Sequence, residues 1–434
     1  MDPLLAATIL FGTFAILLAL SVPISVGILV SAFITALTML PWSGTTYIVG
    51  QQMSTGVESF SLLAVPLFIL AGNIMNNGGI ARRLVDLALV VAGRVPGSLA
   101  HTNVLANMLF GSLSGSAVAS AAAIGGTLHE RQRTAGYDPA YSTSVNIASA
   151  SVGLLIPPTT AAIVYATVAG GVSVAALFMA GYVPGILMGI AVMAVAFVTA
   201  RRAGYRSSER VDARTALLTF LRAIPSLLLV VVAVGGIVTG VFTATEGAAV
   251  AVLYCTVLSL IYRSLDGAAL RQIAVRTVAS TGVVMFLIAA SSAMAWVMAY
   301  SGIPAALTSA IVGTTDSTVL ILALMVVILL VVGTFLDITP AILIFTPIFL
   351  PIAVETGMDP VHFGMVLILA MCIGTMTPPV GSVLFVATGV SGVSIEQVVP
   401  RLLPYFAVLV ALLLLITYVP ALSLAVPGMM GLVS

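Results

Sequence analysis

Gly153-Leu154-Leu155-Ile156-Pro157-Pro158-Thr159-Thr160 and Gly374-Thr375-Met376-Thr377-Pro378-Pro379-Val380-Gly381-Ser382 are the stretches on which the fold turns. Each sits inside a long apolar run, and each carries two consecutive prolines. Proline lacks an N–H and its ring clashes with the preceding turn, so a pair opens a helix and strands its carbonyls. Hydrocarbon offers such groups no partner, and unwound backbone at membrane depth survives only against protein or a water-lined cavity. Carbonyls and hydroxyls in such a cavity suit hard cations such as Na⁺, while the N-termini of half-helices suit anionic solutes. One proline in a membrane helix is ordinarily a kink, and one Ser or Gly patch ordinarily helps helices pack. Repetition shifts the reading toward a site.

Composition places these stretches in lipid. Of 434 residues, 61% are hydrophobic and only 7% are charged. A soluble domain needs about 25% charged residues to meet water. Residues 4–19, 22–40, 224–243, 246–262 and 402–419 hold almost no ionisable group, and a span needs about 20 apolar residues. A net charge of +1 implies neither nucleic acid nor an acidic partner. Cys255 and Cys372 lie in apolar runs without metal-like spacing and read as buried free thiols. The N-terminus lacks a basic n-region and reads as a retained span.

The chain also repeats itself. Gly136-Tyr137-Asp138-Pro139 returns as Gly357-Met358-Asp359-Pro360, Ala166-Thr167 as Ala387-Thr388, and Gly171-Val172-Ser173 as Gly392-Val393-Ser394, all displaced by 221 residues like Gly153 and Gly374. The expected units are 1–200 and 223–434, joined by an arginine-rich linker at 201–222. His129-Glu130-Arg131-Gln132-Arg133 is basic, whereas its equivalent around 350–359 carries Glu355 and Asp359 and no base. Basic short loops stay cytoplasmic, so the units are expected to be inverted. Ten crossings are expected near 4–19, 22–40, 60–76, 140–169, 175–200, 224–243, 246–262, 278–300, 361–390 and 398–420, with re-entrant hairpins at 98–128 and 318–351. All 15 basic residues, every one arginine, then fall on the cytoplasmic face, and both termini fall on the periplasmic side. Residues 80–94 are expected to form an interfacial arm helix, with Ile80, Leu84, Leu87 and Val91 opposite Arg82, Arg83 and Asp86.

Each unit adds a polar tip to its break. These are Gly111-Ser112-Leu113-Ser114-Gly115-Ser116 and Gly333-Thr334-Phe335-Leu336-Asp337-Ile338-Thr339-Pro340. Asp337 lies in apolar surroundings, where an ionised carboxylate costs about 2.5–3.5 kcal/mol on an insertion scale. A bound cation offsets that cost; a helix cap or a protonated acid are the ordinary alternatives. Glu246, in Thr243-Ala244-Thr245-Glu246-Gly247, reads as helix start, helix–helix bond or function. His101, His129 and His362 map to loops or hairpin ends, and Asn146 either orients the site or bonds a neighbouring helix.

These tips and breaks, with the Thr243-Ala244-Thr245-Glu246-Gly247-Ala248-Ala249 stretch, resemble the large membrane subunit of the tripartite ATP-independent periplasmic (TRAP) transporters over essentially the whole chain. That stretch is similar to the family's Thr-Pro-Thr-Glu-Ala-Ala-Ala signature and departs from it at Ala244 and Gly247. The resemblance implies an all-α, elevator-type secondary transporter of the bacterial inner membrane, driven by sodium. It also implies two partners, a small four-helix membrane subunit and a periplasmic solute-binding protein. By position, it implies one sodium site at Ser112, Ser114, Gly153, Ile156 and Pro158, and a second at Gly333, Asp337, Gly374, Thr377 and Pro379. The solute, a small organic anion and usually a carboxylate, is then expected near Ser116, Thr159, Thr339 and Ser382.

Other classes fare worse. A channel needs no paired closed tips. An intramembrane enzyme should show His-Glu-x-x-His, paired membrane aspartates or a serine beside a base, and none occurs. ATP-driven transport lacks its phosphate loop. A stand-alone sodium/organic-anion carrier of related fold remains the alternative, separable by its independence from a soluble receptor.

Overall fold

The computed structural model describes residues 2–77, 80–93, 95–205, 212–313, 317–378 and 380–433, with backbone alone at 77, 80–82, 113, 213 and 310–312. Among the described residues every regular element is a helix. The first half runs α1 (Pro3–Ala19), α2 (Ile24–Leu37), α3 (Trp42–Val57), α4 (Ala64–Asn77), α5 (Ile80–Ala92), α6 (Ser98–Ser114), α7 (Ala117–Thr134), α8 (Pro139–Ala150), α9 (Thr160–Ala169) and α10 (Val174–Arg202). The second half runs α11 (Ala213–Val238), α12 (Ala244–Ile261), α13 (Gly267–Tyr300), α14 (Ile303–Val312), α15 (Thr318–Gly333), α16 (Ile338–Glu355), α17 (Pro360–Gly374), α18 (Ser382–Ser391), α19 (Ile395–Tyr418) and α20 (Ala421–Met429). Six of these, namely α10, α11, α12, α13, α16 and α19, are long and apolar enough to cross a membrane, and α3 with α4 forms a further pair bent by 62°. This is a multi-pass membrane protein.

Local chemistry sets the boundaries. Gly136 and Gly357 adopt φ of 79° and 84°, which L side chains avoid, and so end α7 and α16. Two residues on, Asp138 accepts the Ala140 N–H at 3.1 Å and Asp359 the Val361 N–H at 2.7 Å. Proline follows each cap at the first helical position, where its missing N–H costs nothing. The recurring Gly-x-Asp-Pro is therefore a stop, a cap and a start. Helices α7, α8 and α10 begin at 117, 139 and 174, and α16, α17 and α19 begin at 338, 360 and 395, each 221 residues later.

Contacts recur at the same displacement. The Tyr141 hydroxyl donates to the Ala196 carbonyl at 2.8 Å, and 221 residues on a His362 ring nitrogen meets the Thr417 carbonyl at 3.3 Å. Arg401 reaches Asp138 at 3.2 Å, bringing the start of α19 to the start of α8. Thr417, at the end of α19, lies instead at the start of α17. Helices α8 and α17 thus start from opposite ends of α19. Both are central: Tyr141–Ala150 and Val361–Gly374 are buried without a gap.

The expected layout needs amendment in several places. Helices α3, α14 and α20 occupy residues for which no element was expected. The span expected at 60–76 opens with a 3₁₀ turn, Phe60–Leu63, before α4. On α5 the buried face is Leu84, Val85, Leu87 and Ala88; Val91 is 63% exposed, because α6 and α11 flank the helix on other sides. The Arg83 guanidinium lies 3.2 Å from the centre of the Tyr262 ring, and the side chains of Ile80 and Arg82 lie outside the described residues. His362 is not in a loop: it is buried, with Nδ1 2.6 Å from the Ser423 hydroxyl. Glu246 completes a capping box, its Oε2 accepting the Thr243 N–H at 2.8 Å while Thr243 Oγ1 accepts the Glu246 N–H at 3.2 Å. Asn146 bonds neighbouring helices, donating to the Ala121 carbonyl and accepting from Asn107. Both cysteines are buried and free.

Candidate transport site

Each break is packed against a tip through paired glycines. A Cβ on Gly111 would lie 2.9 Å from the Gly153 Cα, and one on Gly374 would lie 2.5 Å from the Gly333 Cα. Side-chain Cβ atoms do not approach that closely, so only glycine lets backbone meet backbone here. The first break unwinds α8 through a 3₁₀ turn, Val152–Leu154, into Pro157-Pro158 and restarts at α9, capped by Thr159. Among the described residues, the carbonyls of Gly153, Leu155, Ile156 and Pro158 accept no hydrogen bond. The second break is better paired: Gly374, Thr375 and Thr377 carbonyls accept from Thr377, Val383 and Gly381 at 2.9, 3.1 and 3.2 Å. Each of those oxygens retains a lone pair. These are all-oxygen donor sets, suited to a hard cation.

The tips are helix turns with polar ends. Gly115, at φ 62°, closes α6, and Ser116 caps α7 by accepting the Ala119 N–H at 3.2 Å. Ser112 donates to the Leu109 carbonyl at 3.0 Å and Ser114 to the Ser116 carbonyl at 3.4 Å, so both keep acceptor lone pairs. Asp337 stands at the N-cap of α16 yet caps nothing; instead the Ser382 hydroxyl, at the start of α18, donates to its Oδ1 at 3.3 Å. The sequence put Asp337 in apolar surroundings, whereas the fold exposes it.

Both tips border one cavity of about 540 Å³. It is lined by Ser114, Gly115 and Ser116 of the first tip and by Asp337, Ile338 and Thr339 of the second, with Asn73 and Asn76 of α4 and Ser280 of α13 opposite. The first turns of α7, α9 and α16 line it too, through Ala117, Thr160 and Ile338. Helix N-termini carry roughly half a positive charge and free N–H groups. Asp337 is the one charged side chain among the described lining residues. The positive character of this lining therefore comes from helix ends and N–H groups and not from arginine side chains.

The structure brings most of the expected residues together. Ser114, Ser116, Asp337 and Thr339 line the cavity, and Ser382 joins it through Asp337. Thr159 is buried behind it, its hydroxyl accepting the Ala161 N–H. Ser112 lies against Gly153 at the first break, while Ile156 further along the break packs toward Gly185 and Pro158 follows it in the chain. Gly333 lies against Gly374 at the second, and the Thr377 N–H bonds the Gly374 carbonyl. Thr377 spends its hydrogen on the Ile373 carbonyl at 2.7 Å, and Pro379 lies outside the described residues. Sequence reasoning missed Asn73, Asn76 and Ser280. The two asparagines, three apart in an apolar run, were a usable signal for one polar helix face.

Apolar helices interrupted around a cavity that mixes apolar and polar lining, with no arginine among its described lining residues, define an integral membrane transport protein. The chain belongs to the family described as the DctM component of tripartite ATP-independent periplasmic transporters, which matches residues 11–422. It is similar to the YgiK protein of Salmonella typhimurium, with 50% identity over 96% of both chains. It is 36% identical to the isethionate TRAP transporter permease protein DctMQ of Oleidesulfovibrio alaskensis, over 98% of this chain and 67% of that one. It is 38% identical to the C4-dicarboxylate TRAP transporter large permease protein DctM of Pseudomonas aeruginosa, over 86% and 88%. In fold it is similar to the YdaH transporter of Alcanivorax borkumensis, with a TM-score of 0.61 and 17% identity over 87% and 89% of the two chains. The chain is thus the large permease subunit of a TRAP transporter and not an enzyme.

Proposed function

We propose that this subunit carries a small organic anion into the cell by sodium-driven elevator transport, receiving it from a periplasmic solute-binding protein. The observation that carries the reading is the shared cavity, with two glycine-packed tip-and-break elements at its edges and helix N-termini as its cationic surface. Asp337 and the break carbonyls would hold sodium, and hydroxyls and helix ends would hold the anion. Relatives named for isethionate and for C4-dicarboxylate are consistent with an anionic solute. The fused DctMQ relative supports a small membrane subunit as partner in the inner membrane. The inverted arrangement is supported by α8 and α17 starting from opposite ends of α19, and the periplasmic placement of both termini by the arginine distribution.

The test is uptake into proteoliposomes holding this chain and its small subunit. We expect uptake only with an inward sodium gradient and the loaded receptor outside. Uptake without receptor would favour the stand-alone carrier, and uptake indifferent to sodium would end the sodium reading.

A further inference from the structure

The two breaks touch. Ser151 lies two residues before Gly153, Thr375 directly follows Gly374, and their hydroxyl oxygens are 3.0 Å apart. Both residues are buried, at 0% and 1% exposure. Thr375 Oγ1 also lies 2.9 Å from the Cys372 carbonyl, which takes its only hydrogen. Ser151 is therefore the donor in the shared bond, and it makes no other side-chain hydrogen bond among the described residues. Thr375 is tied to its own break as well, because its carbonyl accepts the Val383 N–H across the gap at 3.1 Å. The Ser151 carbonyl anchors the 3₁₀ turn of the first break by accepting the Leu154 N–H at 3.1 Å.

A continuous chain of contacts follows. It runs from the first tip at Gly111 to Gly153, through Ser151 and Thr375, to Gly374 and the second tip at Gly333. The displacement of 221 residues places Cys372 at the position of Ser151 and Leu154 at that of Thr375. The bond is thus not a symmetric pair but a single strut on the boundary between the halves. A buried hydroxyl that loses its partner pays its desolvation in full, so the two breaks cannot shift independently without cost.

We propose that the Ser151–Thr375 hydrogen bond is a positioning strut that couples the two ion sites, so that cation binding at one break favours binding at the other. This rests on the sodium-driven reading above. Sites linked through a shared element have a coupling free energy, and that energy shows as cooperativity in ion activation.

The experiment is sodium activation of receptor-dependent uptake in proteoliposomes, fitted for half-saturation and Hill coefficient. Two obligatory ions make uptake sigmoidal even at independent sites, so we expect the Hill coefficient to be lower in Thr375→Val, which keeps the shape and removes the hydroxyl, than in the natural protein. Ser151→Ala should behave likewise, and Thr375→Ser should restore cooperativity. Should Thr375→Val fail to fold, Ser151→Ala and the Thr375→Ser control decide the matter. A merely structural role would lower the yield of active protein while leaving the Hill coefficient unchanged, and that result overturns the strut. A natural protein with a Hill coefficient of 1 overturns it too. Absence of any sodium activation instead sinks the sodium reading, and the strut with it.

Discussion

Asp337 is a cap without a capping bond. The position before a helix usually spends its side chain on the first-turn N–H groups, yet among the described residues this carboxylate holds only the Ser382 hydroxyl, and it faces the cavity. An acid released from structural duty in that place is available to a cation. Asp337→Asn is expected to raise the sodium half-saturation of uptake at least tenfold while leaving expression and detergent melting temperature unchanged. Unchanged sodium activation would remove Asp337 from the ion site. The glycine pairs make a second residue-scale prediction. A Cβ on Gly153 would sit 2.7 Å from the Ser112 nitrogen, so Gly153→Ala must push tip from break. Overpacking of this kind costs about 1–3 kcal/mol, and the melting temperature should fall together with sodium affinity. Gly389→Ala, where nothing lies within 4 Å, is the matched control and should change neither.

At the scale of elements, the breaks and tips were legible because Pro, Gly, Ser and Asp act locally. Pro157-Pro158 opens a helix whatever surrounds it, and Gly136-x-Asp138-Pro139 ends one helix and starts the next within four residues. Helix α3 was not legible. It carries Gly44, Gly50 and Gly56 among threonines and glutamines, so it resembles no span, and it is a helix because α2 and α13 pack along it. Helices α14 and α20, ten and nine residues long, are too short to announce themselves by hydropathy. The cavity wall from α4 and α13 and the Ser151–Thr375 bond depend on contacts between the halves, which no local pattern encodes. Glu246 belongs to this scale too. The sequence left it between helix start and function, and its capping box assigns it to the start of α12. Thr243→Ala should therefore cost about 1 kcal/mol of stability and leave sodium activation alone. Glu246→Gln, which can still accept the Thr243 N–H, should be silent in both assays; lost uptake in that variant would return the carboxylate to the transport site.

At the scale of the molecule, the decisive question is the sense in which the halves lie. Helices α7 and α16 end at Thr134 and Glu355, both exposed and 221 residues apart. If the units are inverted, these equivalent ends face opposite sides of the membrane. The contacts within the fold favour that outcome, since the turn after α7 leads to Asp138, paired with Arg401 at one end of α19, and the turn after α16 leads to α17 at its other end. The arginines argue the same way, because Arg131 and Arg133 flank the first turn and no base flanks the second. Each position can be tested alone by replacing it with cysteine in intact cells. The natural thiols, Cys255 and Cys372, are buried and should give little background. Thr134→Cys should resist a membrane-impermeant maleimide until the cells are opened, whereas Glu355→Cys should react at once. Both thiols reacting from one side would leave the 221-residue register standing and would require the halves to be parallel. In that arrangement the two tips could not enter the membrane from opposite faces, and an elevator moving between two half-sites would lose its structural basis.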